Sequence, residues 1–236
     1  MKFGDETIIR DISIAVDQGE LVSLLGVSGS GKTTLFNCIS GIYQPTAGRV
    51  LLDGADITGT TGHISYMLQK DLLLPYKTIE DNVGLPLVIQ GMSKEAARKQ
   101  ASEHFEEFGL EGTQKKYPKQ LSGGMRQRAA LLRTYLFSDN VALLDEPFSA
   151  LDTITKGKIH NWYLDVMEKI NLTTVFITHD INEAILLSDR IYIMTGKPGG
   201  IRYEIRIDTP RSQRQGYDLT DEFMQYKRQI MGVLEE

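Results

Sequence analysis

The chain has 236 residues, of which 41% are hydrophobic and 24% are charged, as is ordinary for a soluble globular protein. Its 31 acidic residues outnumber 26 basic ones, and the net charge of −5 argues against nucleic acid or anionic lipid as the main partner. No stretch approaches the roughly 18 apolar residues of a membrane span, and the start is unlike a signal peptide, so we expect a cytoplasmic protein. The single cysteine, Cys38, excludes an intrachain disulfide.

Hydrophobic periodicity predicts strands and helices along the whole chain. The predicted strands cover residues 8–16, 21–25, 49–52, 64–68, 141–144, 173–177, 190–194 and 201–207. The predicted helices cover residues 34–40, 79–89, 93–108, 122–137, 153–171, 181–188 and 219–234. Ser93 and Ser122 are placed to cap two of these helices.

Residues 26–33 read Gly-Val-Ser-Gly-Ser-Gly-Lys-Thr between a predicted strand and a predicted helix, which is the pattern of a P-loop. Its glycines let backbone N–H groups approach phosphate oxygens, and the helix start adds further free N–H groups. We expect Lys32 to reach the β- and γ-phosphates and the Thr33 hydroxyl to bind Mg²⁺. The alternative is a glycine-rich turn without a ligand. The residues predicted to bind nucleotide here are Gly26, Ser28, Gly29, Ser30, Gly31, Lys32, Thr33 and Thr34.

Two carboxylates, Asp145 and Glu146, close an apolar strand. Asp145 can hold Mg²⁺ directly or through water. Because successive strand residues point to opposite sides, Glu146 can face the γ-phosphate and orient the attacking water as general base. The alternative, in which both acids only cap the next turn, would leave two carboxylates at a buried edge without a cation.

Further motifs follow in a fixed order, and together they identify a family. Gln69 ends a predicted strand, Leu-Ser-Gly-Gly-Met occupies 121–125, Ser-Ala-Leu-Asp occupies 149–152, and His179 follows another strand. With the P-loop and the two carboxylates, these motifs make residues 3–201 resemble the nucleotide-binding subunit of ATP-binding cassette (ABC) transporters. Within this family, Met125 and the Lys-Pro-Gly at 197–199 make the sequence resemble importers of the nitrate, sulfonate, taurine and thiamine-precursor group.

The resemblance implies an α/β P-loop NTPase with a RecA-like core, a mixed sheet, an antiparallel β edge and an inserted helical subdomain. The core would cover 1–70 and 138–215, the helical subdomain 71–137, and a C-terminal helix 216–236. The resemblance also implies ATP hydrolysis with Mg²⁺, coupled to solute uptake. The expected partners are a second copy of the chain, transmembrane permease subunits and, indirectly, a solute-binding protein, at the inner face of the membrane.

The resemblance adds roles near the nucleotide for three residues. Phe3 would stack on adenine, although a plain edge-packing phenylalanine is an equal alternative. Gln69 would contact the metal or the water, and by itself it reads as an ordinary surface glutamine. His179 would contact the γ-phosphate, and an imidazole suits that role because it can donate at neutral pH.

The resemblance places four residues across a dimer. Ser122, Gly123 and Gly124 would complete the ATP site of the opposite subunit, so that two ATP molecules lie in a head-to-tail homodimer. Asp152 would reach the other P-loop. Taken alone, Ser122, Gly123 and Gly124 are equally consistent with a simple capped helix, whereas Asp152 can cap the following helix and cross the dimer at the same time.

Three rival functions are weighed against import. An exporter or lipid-transport cassette is the nearest rival. A soluble cassette ATPase of DNA repair or translation usually carries long coiled-coil insertions or two cassettes, which this sequence lacks. A P-loop kinase or GTPase leaves residues 122–124 unexplained.

Overall fold

The computed structural model describes residues 1–138, 140–149, 153–214 and 216–235. The strands are β1 (Lys2–Phe3), β2 (Glu6–Thr7), β3 (Leu21–Gly26), β4 (Leu51–Leu52), β5 (Ala55–Asp56), β6 (Ser65–Met67), β7 (Val141–Asp145), β8 (Thr173–Thr178), β9 (Arg190–Thr195) and β10 (Gly200–Arg206). The α-helices are α1 (Lys32–Ile39), α2 (Ile79–Val83), α3 (Leu85–Ile89), α4 (Lys94–Glu103), α5 (Gly123–Tyr135), α6 (Thr153–Ile170), α7 (Ile181–Leu187) and α8 (Asp221–Glu235).

The chain divides into two compact units. The first contains Met1–Ile64, Leu143–Glu146 and Thr173–Glu236, and the second contains Ser65–Ala142 and Pro147–Leu172. The domain bounds proposed from the sequence, with a helical subdomain at 71–137, stay a prediction.

The sheet of the first unit is organised around β3. Its strands run in the order β10-β9-β3-β8-β7, and β3 is parallel to both β8 and β9. All six residues of β3 are buried, as expected for a strand covered on both faces. Strand β10 pairs antiparallel with β9, so the predicted mixed α/β sheet is confirmed. Parallel strands end at one edge, where α/β proteins usually bind ligands.

Helices α7 and α8 pack their apolar side chains on this sheet. Ile185 of α7 and Ile230 of α8 share a buried cluster with Ile193 of β9. Burying each such side chain contributes roughly 1.5–3 kcal/mol. The buried Arg214 guanidinium donates to the Ser188 carbonyl at 2.6 Å, just beyond the end of α7, which fixes the following segment against that helix.

The second unit is mainly helical. As predicted, Ser93 and Ser122 cap α4 and α5, and their side chains accept hydrogen bonds from the N–H groups of Ala96 and Met125. Its core includes the buried Phe108, which packs edge-on against Trp162 of α6 at 5.9 Å between ring centroids.

Three predicted elements are wrong in extent. Residues 8–16 keep alternating exposure, but Ile9 alone forms a β-bridge there, because Asp11 has a φ of 51° and leaves the extended region. The helix predicted over 79–89 breaks at Gly84, since Pro86 lacks an N–H at the start of the second segment. The helix predicted over 93–108 ends at Glu103.

Candidate functional site

A glycine-rich loop leaves the buried end of β3 and enters α1. Gly29 and Gly31 have φ values of 82° and 94°, in the region that favours glycine. The Ser30 hydroxyl is buried and donates to the Val27 carbonyl at 2.9 Å. The loop therefore curls back on itself in front of the N-terminus of α1, a shape that suits an anion.

Neighbouring backbone supports the loop from behind. A Cβ atom at Gly26 would overlap the Met194 carbonyl, and one at Gly31 would overlap the side chain of Ile9. Gly199 in turn packs on the Ser30 carbonyl so closely that a Cβ there would also overlap it. The sequence reading missed the supporting roles of Ile9 and Gly199. One signal could have indicated the role of Gly199: it ends the Lys-Pro-Gly motif, which follows the strand predicted over 190–194.

The Lys32 ammonium lies inside this loop. Its Nζ donates to the carbonyls of Gly26 at 2.8 Å and Val27 at 2.9 Å, and the residue is only 7% exposed. Burial lowers the pKa of Lys32, whereas the nearby carboxylates of Glu146 and Asp145 raise it. The loop thus holds a shielded cation that can pair with an anionic ligand.

Thr33 and Asp145 bring two oxygen donors together beside Lys32. The Thr33 hydroxyl donates to Asp145 Oδ2 at 3.1 Å, and Asp145 is buried at the end of β7. A hydroxyl and a carboxylate are ligands that Mg²⁺ accepts, so these residues fit that ion. Within the described residues, no group of three or more His, Cys, Asp or Glu could hold a metal. Mg²⁺ here would therefore need phosphate and water oxygens as further ligands.

Glu146 and His179 form the other side of the site. Glu146 Oε1 lies 3.3 Å from His179 Nδ1, and the histidine side chain is 57% exposed. β7 ends at Asp145, and Glu146 adopts a φ of 49° while its N–H donates to the Ile177 carbonyl at 3.1 Å. We predicted that alternation along the strand sets the direction of the Glu146 side chain, and this was wrong. The left-handed backbone conformation of Glu146 itself sets that direction, and residues in such strained conformations cluster at functional sites.

The other predicted binding residues of the first unit take varied positions. Ser28 is exposed at the loop tip, and Thr34 is half-buried in the first turn of α1. Phe3 lies on β1, is 46% exposed, and meets the Tyr43 ring edge-on at 5.4 Å with an interplanar angle of 81°. Phe3 therefore offers an accessible ring that is held by a second aromatic residue.

The remaining predicted site residues belong to the second unit or lie outside the description. Gln69 is exposed in the bend after β6. Ser122 is exposed as the cap of α5, and Gly123 and Gly124 are half-buried in its first turn. Asp152 lies outside the described residues. The structure thus brings together Lys32, Thr33, Asp145, Glu146 and His179 within the first unit.

Comparisons with known proteins agree with one another. A family model described as "ABC transporter" matches residues 9–149. The formylaminopyrimidine import ATP-binding protein ThiZ of Halalkalibacterium halodurans is 43% identical over 94% of this chain and 86% of that protein. The nitrate import ATP-binding protein NrtD of Synechocystis sp. is 34% identical over 99% of this chain and 90% of that protein.

Solved structures give the same result. A dimeric ATP-binding cassette in a post-hydrolysis state, bound to ADP and Pi, is 33% identical and has a TM-score of 0.73. That similarity covers 89% of this chain and 96% of the solved chain.

Proposed function

Because the chain belongs to the ABC transporter family, we propose that it binds and hydrolyses Mg-ATP at residues 26–33 as the ATP-binding subunit of a solute importer. The relatives named above serve import of formylaminopyrimidine and of nitrate, which supports a small polar solute as the cargo class. The observation that carries the proposal is the grouping of the Lys32 cation, the Thr33–Asp145 oxygen pair and the Glu146–His179 pair in one unit.

The loop supplies the triphosphate site. Lys32 exchanges its carbonyl contacts for phosphate oxygens, and N–H groups of the loop and of the start of α1 surround the same phosphates. The Thr33 hydroxyl and the Asp145 carboxylate hold Mg²⁺. When bound, Mg²⁺ would supply positive charge that offsets the charge of the phosphates. Phe3 stacks on the adenine ring. Ser28 and Thr34 add polar side chains beside the phosphates, and the Ser30 hydroxyl holds the loop through its bond to the Val27 carbonyl.

Hydrolysis requires a base beside the terminal phosphate. Glu146 accepts a proton from the attacking water, and His179 donates to the γ-phosphate. In the imidazolium form, Nδ1–H can donate to Glu146 Oε1 at 3.3 Å while Nε2–H donates to the phosphate. Gln69 supplies an amide that orients water or binds the metal, and the exposed position of this side chain is compatible with that role.

A homodimer completes each site. Ser122, Gly123 and Gly124 place the N-terminus of α5 and its free N–H groups against ATP held by the other subunit. Asp152 contacts the opposite loop. The dimeric solved relative supports a dimer of this chain.

The dimer is proposed to act at the inner face of the membrane. Closure and reopening of the dimer drive permease subunits, which receive solute from a binding protein. In the described part of the chain, no helix has the length and apolar character to cross a membrane. Attachment through permease subunits is supported by the similarity to import ATP-binding proteins.

The test is ATP hydrolysis by the purified full chain with Mg²⁺. Lys32→Ala is expected to lower turnover by about 100-fold or more, because the buried cation that stabilises phosphate charge is lost. Lys99→Ala removes an exposed lysine of α4 and is the matched control, with unchanged turnover. Equal activity of Lys32→Ala and Lys99→Ala would refute the proposed site.

A further inference from the structure

A buried acid lies next to the proposed catalytic histidine. Glu183, in the first turn of α7, is only 4% exposed, and the next two residues, Ala184 and Ile185, are buried as well. Burying a carboxylate is costly unless it is hydrogen-bonded, whereas an apolar residue at this position would only add to the core. The hydrogen bonds of Glu183 therefore indicate what it contributes.

These bonds fix the backbone on both sides of His179. The Thr178 hydroxyl donates to Glu183 Oε2 at 2.7 Å. The same hydroxyl oxygen accepts the N–H of Asp180 at 3.0 Å. Glu183 thus orients the Thr178 hydroxyl, and this hydroxyl in turn anchors the backbone of Asp180. His179 lies between Thr178 and Asp180 in the sequence, so its backbone is held on both sides.

The helix start adds a second restraint. Asp180 caps α7 by accepting the N–H groups of Asn182 at 2.9 Å and Glu183 at 3.4 Å. The His179 side chain is 57% exposed, and its Nδ1 lies 3.3 Å from Glu146 Oε1. Because more than half of the imidazole is exposed to solvent, its direction depends on the flanking residues.

We propose that Glu183 is a positioning residue for hydrolysis, which holds His179 through Thr178 and Asp180 in the direction that serves both Glu146 and the γ-phosphate. This inference rests on the role of His179 under the proposed function. In this role the buried Glu183 acts on the reaction through the histidine. A displacement of a catalytic group by about 1 Å can lower a rate by about 100-fold.

The experiment measures Mg-ATP turnover and ATP affinity in the full chain. Glu183→Met removes the acceptor but keeps a similar volume, and we expect kcat to fall on the order of tenfold or more with ATP affinity unchanged. Glu183→Gln keeps an acceptor oxygen and is expected to retain most of the turnover. Asn182→Ala, in the same helical turn but exposed, is the matched control with normal turnover.

The decisive comparison repeats Glu183→Met in a His179→Ala background. If Glu183 acts through the histidine, the second substitution causes no further loss of kcat. The same fold-loss in both backgrounds, or normal turnover of Glu183→Met alone, would overturn the inference. Thr178→Val breaks the same hydrogen bond and decides the matter if Glu183→Met does not fold.

The outcomes also separate this inference from its premise. If His179→Ala keeps full turnover, the proposed role of the histidine fails and the inference fails with it. If His179→Ala loses turnover while Glu183→Met and Thr178→Val do not, the inference about Glu183 fails and the proposed role of His179 stands.

Discussion

Gly31→Ala is expected to destabilise the protein by more than its backbone angle accounts for. Gly31 has a φ of 94°, where an L-residue costs roughly 1–2 kcal/mol. A Cβ there would overlap Cγ2 of the buried Ile9 and lie 3.3 Å from Ile8 Cγ2, and overpacking of this kind costs about 1–3 kcal/mol. Together these terms predict a loss of about 2–5 kcal/mol in the free energy of unfolding.

Gly48→Ala is the matched control. Gly48 has the same φ of 94°, but a Cβ there would meet nothing within 4 Å. Gly48→Ala should lower the free energy of unfolding only by the roughly 1–2 kcal/mol of backbone strain. The change in the entropy of the unfolded chain is common to both variants. The assay is urea unfolding, in which we expect the Gly31→Ala midpoint to lie about 0.5–1 M below that of Gly48→Ala.

A second background identifies the clash. Ile9→Ala removes the overlapping methyl group, so in that background most of the excess cost of Gly31→Ala over Gly48→Ala should disappear. Equal midpoints for Gly31→Ala and Gly48→Ala would refute the reasoning, as would an excess cost of Gly31→Ala that persists after Ile9→Ala.

Three further substitutions test the proposed chemistry. Glu146→Gln should bind ATP but release phosphate about 100-fold more slowly, since an amide cannot accept the proton of water; normal release would mean another base. Asp145→Asn should raise the Mg²⁺ concentration needed for half-maximal hydrolysis by about tenfold or more. An unchanged Mg²⁺ dependence would remove Asp145 from the metal site. Ser122→Arg, combined with Glu146→Gln, should abolish ATP-driven dimers on a sizing column while each chain still binds ATP. Dimers that form normally would contradict the role of α5 across the interface.

Local sequence signals predicted the centre of the first unit. The buried run of β3, the glycine spacing and the helix start at Lys32 all lie within 14 consecutive residues, from Leu21 to Thr34. Ser93 and Ser122 were likewise recognisable as caps because a cap depends on the next three residues. The approach of Asp145 to Thr33 followed from its place at the end of a buried strand.

The sequence could not predict backbone geometry that tertiary contacts decide. Alternation over residues 8–16 is present in the exposure pattern, but pairing also needs a partner strand, and only Ile9 bridges to Gly199. Glu146 was expected to continue a strand, yet a hydrogen bond to Ile177, 31 positions further along the chain, accompanies a left-handed conformation. Hydrophobic periodicity predicts neither the pairing of residues 8–16 nor the left-handed conformation of Glu146.

Distant polar contacts were equally hidden. Arg214 donates to the Ser188 carbonyl across 26 positions, and nothing in the polar C-terminal stretch distinguishes this arginine from its neighbours. No sequence signal assigned a role to Glu183. Its burial and its bond to Thr178 became visible only with the packing of α7 on the sheet.

The central claim is that residues 26–33 hold Mg-ATP through Lys32. The most direct measurement is calorimetric titration of the full chain with the non-hydrolysable ATP analogue AMP-PNP, with Mg²⁺ and with EDTA. We predict one binding site per chain that is strong with Mg²⁺, weaker with EDTA and lost in Lys32→Ala. Absence of binding by the unmodified chain, or equal binding by Lys32→Ala, would contradict the account.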